Sequence, residues 1–171
     1  CRVEYGGLGK GGDLYRARVL PVVSPGNIYR MDGGEGQVSL DGMPFMHLEA
    51  QRDSEMHPGW PDWVAAFGHR SEGAERGVHY RNARLALEAV RQDVAFLVCG
   101  LSLVENDLAE GTVVLPFPVD QSLAAPLSYV LTITAHGTIR PQLQRFCDWL
   151  RDQALQTRKG LELAVASAVG G

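Results

Sequence analysis

Lysine is nearly missing from this chain: of its 16 basic residues only Lys10 and Lys159 are not arginine, and 20 acidic residues leave a formal net charge of −4. A weakly anionic field gives no general support for binding a phosphate backbone. The arginines are scattered. Their longest grouping, Arg76, Arg81, Arg84 and Arg91, is interleaved with Glu75 and Glu88, so no nucleic-acid face is read from it. Cysteine is sparse too. Cys1, Cys99 and Cys147 are odd in number, far apart and without a C-x-x-C pair, which excludes a disulfide framework and a zinc ribbon. Cys99 and Cys147 read as small buried hydrophobes in a reducing, cytoplasmic setting. No run of about 18 uncharged apolar residues occurs, so no membrane span is expected. No initiator Met and no charged-then-apolar leader open the chain, which therefore reads as a processed, truncated or partial product.

Catalytic patterns are lacking as well. In Gly6-Gly7-Leu8-Gly9-Lys10-Gly11-Gly12 the lysine is followed by glycine, where a phosphate-binding loop needs Ser or Thr to hold magnesium. The segment reads as a connector. The five histidines, His47, His57, His69, His79 and His136, have no H-E-x-x-H and no close metal spacing. His47-Leu48-Glu49 faintly resembles a deaminase fragment, but the P-C-x-x-C partner is missing. There is no G-x-S-x-G elbow, and no catalytic residue, metal or cofactor is assigned.

What is present is ordinary globular material: 171 residues, 45% hydrophobic and 21% charged, enough for a domain burying roughly 70% of its unfolded surface. Extended segments are read over Arg2–Tyr5, Leu14–Val23 (with Pro21 at an edge or crossing point), Phe45–Leu48, Val78–Tyr80, Val94–Val98, Thr112–Phe117 and Leu127–Ala135. Ser24-Pro25-Gly26-Asn27 is turn chemistry, and Arg30–Gly42 is a glycine-rich loop with at most one helical turn. Helices are read over Trp60–Phe67, with Pro61 in its first turn and Gly68 past its end, and after Asn82, with Leu85, Ala86, Ala89 and Val90 on one face. Further helices are read over Leu101–Ala109 and over Pro141 to Leu155, where Leu143, Phe146, Cys147, Leu150 and Ala154 form a stripe. The tail from Arg158 reads as frayed. Trp60 and Trp63 are assigned to the core in preference to ligand stacking. Asn82 is either a plain cap or a group presenting helix amides to a ligand. Strands alternating with short helices imply an α/β architecture with parallel pairings.

The order of these segments is familiar. Tyr80-Arg81-Asn82-Ala83-Arg84-Leu85-Ala86-Leu87-Glu88-Ala89-Val90 with Val94-Ala95-Phe96-Leu97-Val98 resembles the second subdomain of LysR-type transcriptional regulators. So do Leu103-Val104-Glu105-Asn106-Asp107-Leu108-Ala109-Glu110-Gly111 and Val113-Val114-Leu115-Pro116-Phe117, and Phe146-Cys147-Asp148-Trp149-Leu150 resembles the final helix of that family. Val3-Glu4-Tyr5-Gly6, Leu20-Pro21-Val22-Val23-Ser24-Pro25 and Pro61-Asp62-Trp63-Val64-Ala65-Ala66 look like its glycine-cleavage-activator subgroup. The chain departs from the family at Arg91-Gln92-Asp93, where a glycine-containing turn is usual, and in the glycine content of Arg30–Gly42.

The resemblance implies a type 2 periplasmic-binding-protein-like fold, N-terminally truncated, with the second subdomain complete and remnants of the first. Residues 1–13 would belong to the first subdomain and 14–135 to the second with its two crossing strands. Residues 136–171 would form the C-terminal helix on the first subdomain, and a tail. It also implies a non-catalytic, cytoplasmic effector-binding domain that senses a small polar metabolite in a cleft. Such a domain works as a homodimer or homotetramer and reaches DNA only through a winged helix-turn-helix absent from these residues, with no membrane partner. The effector contacts carried over are Tyr5, Gly6, Gly7, Arg81, Asn82, Ala83, Cys99 and Tyr129. An extracytoplasmic solute-binding protein of the same fold is the rival reading; an enzyme is a third.

Overall fold

Two ten-residue runs rich in strand formers organise the sheet. The computed structural model describes residues 2–6, 13–31, 38–49, 57–133 and 140–169. In chain order the elements are β1 (Arg2–Gly6), β2 (Asp13–Val22), α1 (Pro25–Ile28), β3 (Phe45–Leu48), α2 (Trp60–Phe67), β4 (Val78–Tyr80), α3 (Ala83–Arg91), β5 (Phe96–Gly100), α4 (Glu105–Glu110), β6 (Leu123–Thr132) and α5 (Pro141–Val169). The six strands form one sheet in the order β1-β6-β2-β5-β3-β4. The expected parallel pairings hold for β5–β3 and β3–β4, while β1–β6, β6–β2 and β2–β5 are antiparallel, so the sheet is mixed. Pro21 lies beyond Val19, the last β2 residue paired with β6, so its missing N–H leaves no bond to β6 unmade.

Alternation along the strands separates two cores. Phe45, Phe96 and Val98 face α2, whose Trp60 and Trp63 are buried with them. Met46, Leu97 and Cys99 point the other way, onto Ala86, Leu87 and Val90 of α3. A third cluster fastens α5 to the long strands through Leu14, Leu131, Cys147 and Ala154. Both tryptophans thus belong to the core, as expected, and each indole N–H is satisfied: Trp60 donates to the Met46 carbonyl at 2.9 Å and Trp63 to that of Gln121 at 2.8 Å. Trp60 stacks on Phe45 with ring centroids 3.7 Å apart.

Several expectations are corrected. The α3 stripe is rotated: Leu87 is buried while Leu85, at the third helical position, is 60% exposed. Strand β5 begins at Phe96, leaving Val94 53% exposed. Residues 112–117 make one bridge, Val23 to Val114, because prolines at 116 and 118 remove donors from any longer ladder. Strand β6 starts at Leu123, four residues before the run read from sequence, and Ala135 lies outside the described residues. Leu101–Leu103 is a 3-10 turn, and the α-helix proper starts at Glu105. Helix α5 continues to Val169, so the segment from Arg158 is helical. Good helix formers run on past Leu155, and the Arg158 guanidinium donates to the Leu14 carbonyl at 2.6 Å. On the same helix Phe146 is 49% exposed, off the buried stripe.

In the turn from α3 into β5, Asp93 adopts φ +58. Short polar side chains tolerate this left-handed region better than most. Gly77, entering β4 at φ +153, has no such substitute: a Cβ there would overlap the Phe45 carbonyl oxygen and lie 3.0 Å from Cδ2 of His47. The glycine lets β4 lie close against β3 and fixes His47 beside it. Among the described residues no helix is long and apolar enough to cross a membrane.

Candidate functional site

At the carboxyl ends of β3, β4 and β5 the chain turns outward, and a cavity of about 640 Å³ opens there. In an open α/β sheet this is where ligands are received, because strand direction switches and successive connections diverge. Here the switch lies at β5, which is parallel to β3 and antiparallel to β2. One wall comes from the exits of β3 and β4, carrying His47, Glu49, His79 and Arg81. Another is the entry to α2, from His57 to Asp62. Cys99, Gly100 and Leu103 form the β5 side, and Val19 and Tyr129 of the two long strands close it. A smaller cavity of about 200 Å³ touches α4 and α5, with Glu105 its one ionisable lining residue, so the larger one is the chemically richer site.

The helix entries are locally determined. The Asn82 side-chain oxygen accepts from the Arg84 and Leu85 amides at 2.9 and 3.3 Å, satisfying donors that the first turn of α3 would leave unpaired. At α2, Asp62 accepts from the Gly59 amide at 2.8 Å, fixing the loop that carries His57 to the cavity.

The ionisable groups form a connected set. In register on adjacent parallel strands, His47 and His79 stack with ring centroids 4.6 Å apart and 11° between planes. Nε2 of His47 lies 3.2 Å from the Arg76 carbonyl; a carbonyl only accepts, so this nitrogen carries the proton. Burial, aided by the neighbouring His79, holds His47 below the usual imidazole range despite that bond. Burial lowers His57 likewise, and its ring stacks 6.2 Å from that of Tyr129. Glu49 meets Arg81 Nε at 2.9 Å through one oxygen and lies 3.8 Å from His79 Nδ1 through the other. Cys99 is 3% exposed, and burial, with Asp107 adding negative charge, pushes its thiol up to about 12. It is a neutral apolar surface at physiological pH.

Of the eight effector contacts carried over by resemblance, Arg81, Ala83, Cys99 and Tyr129 line this single cavity. Asn82 is not among its lining residues and acts as the cap. Tyr5 and Gly6 lie in β1, paired opposite Tyr129 and Ser128 of β6. Gly7 lies outside the described residues. Sequence reasoning passed over His47, Glu49, His57 and His79, since 32 residues separate His47 from its partner and no spacing rule links them. The legible signal was positional: each of His47 and His79 comes one residue before the end of a short strand. Among the described residues no group of three or more His, Cys, Asp or Glu could hold a metal ion.

No protein-family profile and no curated protein sequence matches the chain. Solved structures do match. The effector domain of the transcriptional regulator AmpR of Pseudomonas aeruginosa superposes with a TM-score of 0.67 at 20% identity, covering 92% of this chain and 73% of that one. The regulatory domain of CrgA, a LysR-type transcriptional regulator from Neisseria meningitidis, gives 0.61 at 16% identity, covering 89% and 74%. Full-length LysG from Corynebacterium glutamicum, with its effector arginine bound, gives 0.57 at 16% identity, covering 90% of this chain and 50% of that one. The α/β fold with a mixed sheet is therefore that of LysR-type effector-binding domains.

Proposed function

We propose that the chain is the effector-binding regulatory domain of a LysR-type transcriptional regulator and senses a small polar metabolite in the 640 Å³ cavity. The observation that carries this reading is the position of that cavity, at the strand exits of a fold shared with regulators of this class. Arg81, Ala83, Cys99 and Tyr129 serve as effector contacts, with Tyr5, Gly6 and Gly7 contributing from the first-subdomain side and Asn82 holding the α3 entry in place. The finer assignment is to the glycine-cleavage-activator-like subgroup, with residues 1–13 in the first subdomain, 14–135 in the second and 136–171 as the closing helix and tail. Ligand occupancy biases the relative orientation of the two subdomains. A homodimer or homotetramer passes that bias to a winged helix-turn-helix on DNA, in the cytoplasm and without catalysis.

The test is a metabolite screen by thermal shift, followed by calorimetry. One small polar compound should stabilise the chain with one-to-one stoichiometry. Leu103→Trp, at a half-exposed position on the cavity mouth, should abolish binding while the unliganded melting temperature stays unchanged. Binding that survives Leu103→Trp would refute the placement of the site. Turnover of the compound would refute the regulatory reading.

A further inference from the structure

We propose, on the reading of this cavity as the effector site, that its ligand carries the N–Cα–C=O frame of an amino acid and pairs by that frame with the forked edges of β3 and β5, as one added strand residue would. Free amino acids and short extended peptides share this frame.

The fork lies where a ladder stops short. Strands β3 and β5 pair in parallel only at Phe45 with Phe96 and Met46 with Leu97, although β3 runs on to Leu48 and β5 to Gly100. Alternation fixes which peptide groups are left over. The Phe96 amide donates to the Pro44 carbonyl at 2.9 Å, so Val98 and Gly100 also turn their N–H and C=O toward β3. Leu97 and Cys99 turn theirs toward β2, opposite Val22 and Leu20. The Glu49 amide donates to the Tyr80 carbonyl of β4 at 2.8 Å, so Leu48, one residue earlier, turns its N–H and C=O toward β5. A continued ladder would join the Leu48 N–H to the Val98 carbonyl and the Gly100 N–H to the Leu48 carbonyl. Neither rung forms. Among the described residues these four groups have no hydrogen-bond partner, and all three residues line the cavity. Val98 is 5% exposed, and a peptide oxygen so buried is rarely left unpaired.

These groups set the ligand's chemistry. Two donate and two accept, so a carboxylate alone would meet two carbonyls it cannot bond, and an amine alone two N–H groups. A carboxamide balances the count but holds its nitrogen and oxygen on one carbon, whereas Leu48 separates its N–H from its C=O by a Cα. An amino-acid frame has that same separation. In β pairing its nitrogen donates to the Leu48 carbonyl while its carbonyl oxygen accepts from the Leu48 N–H. The remaining hydrogen-bonding capacity, at the ammonium and carboxylate of a free amino acid or at the next unit of a peptide, serves the Val98 carbonyl and the Gly100 N–H. The β3 side of the cavity favours neither sign of charge, since Glu49 and Arg81 are joined there at 2.9 Å. A zwitterion and a neutral peptide are both admitted. The Trp60 indole, on the Met46 carbonyl at 2.9 Å, holds the base of the fork in place.

Gly100 allows one donor to be removed with the backbone left in place. Its φ of −66 and ψ of 131 suit proline, its N–H faces the fork and not β2, and a Cβ there would meet nothing nearer than Ser102 Oγ at 3.9 Å. The probes are each standard amino acid and trialanine, with propionate, propylamine and propionamide as partial frames. Each is titrated to tens of millimolar against the whole chain while backbone amide resonances and hydrogen exchange are followed. In the free protein the Leu48 and Gly100 amides should exchange fast and those of Leu97 and Cys99 slowly. An amino acid or trialanine should shift and protect the first two, and which of them does so names the source of the frame. Gly100→Ala should keep that binding, and Gly100→Pro should weaken it by about tenfold or more. The exchange readout needs no variant, so it decides even where Gly100→Pro fails to fold. Slow exchange of Leu48 and Gly100 in the free chain, a partial frame binding as tightly as the best full one, undiminished binding in Gly100→Pro, or no full frame shifting these amides would each overturn the proposal. A metabolite that Leu103→Trp excludes but that leaves the Leu48 and Gly100 amides unshifted would overturn it and leave the cavity reading standing.

Discussion

Replacing Gly77 by alanine tests the structural basis of the whole histidine wall. The new Cβ would overlap the Phe45 carbonyl oxygen and sit 2.9 Å from the carbonyl carbon of Phe45 and 3.0 Å from Cδ2 of His47. Two of these three atoms are backbone in β3, whose partners on either side are β4 and β5, so relief requires moving a paired strand. A φ of +153 lies beyond the left-handed helical region that other residues visit and costs an L-residue about 1–3 kcal/mol. Forcing extra volume against packed backbone adds about 1–3 kcal/mol. A total near 3 kcal/mol corresponds to a melting-temperature loss of roughly 6–12 °C for a domain of this size. Gly111 is the control: it also has positive φ, +71, but open space around its Cβ. Gly111→Ala should therefore cost only the conformational part, about 1 kcal/mol. Urea denaturation of both variants measures the difference, and the His47–His79 ring contact should be lost in Gly77→Ala by histidine chemical shifts. If the two variants lose the same small amount, the close approach of β4 to β3 does not exist as described.

Three further outcomes follow from the packing and electrostatics. Leu87→Ala should cost about 2–4 kcal/mol in urea denaturation and Leu85→Ala under about 0.5 kcal/mol; the reverse order would restore the stripe read from sequence. The Cys99 thiol, with its titration pushed up to about 12, should react with iodoacetamide at pH 8 far more slowly than a free thiol, and labelling in minutes would show that the cavity floor opens. Arg91 holds Asp107 through bonds of 2.6 and 2.9 Å, and with Thr112 keeps that carboxyl below the usual carboxylate range. Its stabilising contribution is complete above the unfolded carboxyl's titration and is lost as pH falls through the lower folded value. Asp107→Asn should thus be less stable than the parent near pH 6, with the gap closing in acid; a gap independent of pH would refute the ionic origin.

Short elements were legible from the chain wherever two local signals coincided. Helix α2 combined Pro61 at its start with Gly68 at its end and was bounded as read, and α3 starts directly after its cap Asn82, as read. Where one signal acted alone the reading drifted. Apolar character by itself could not say that Val94 precedes β5, or that residues 112–117 stop at a single bridge, because pairing partners decide those outcomes. The α3 stripe was misread because Leu85-Ala86-Leu87 offers two leucines, and only the sheet beneath selects Leu87. At the site, resemblance named Arg81, Ala83, Cys99 and Tyr129 together. The histidines stayed hidden, because their proximity comes from parallel register, a relation that linear spacing does not encode.

The placement of the tryptophans gives the protein an optical readout of its own. Trp60 lines the cavity with its indole N–H tied to β3, Trp63 lies behind it with its ring edge-on at 90°, and Trp149 stands half exposed on α5. Emission therefore divides into a blue-shifted component from the first two and a red-shifted one from the third. Acrylamide should quench the red component first, leaving a residual spectrum from Trp60 in the cavity wall and Trp63 behind it. Occupancy can then be followed at micromolar protein without attaching a label.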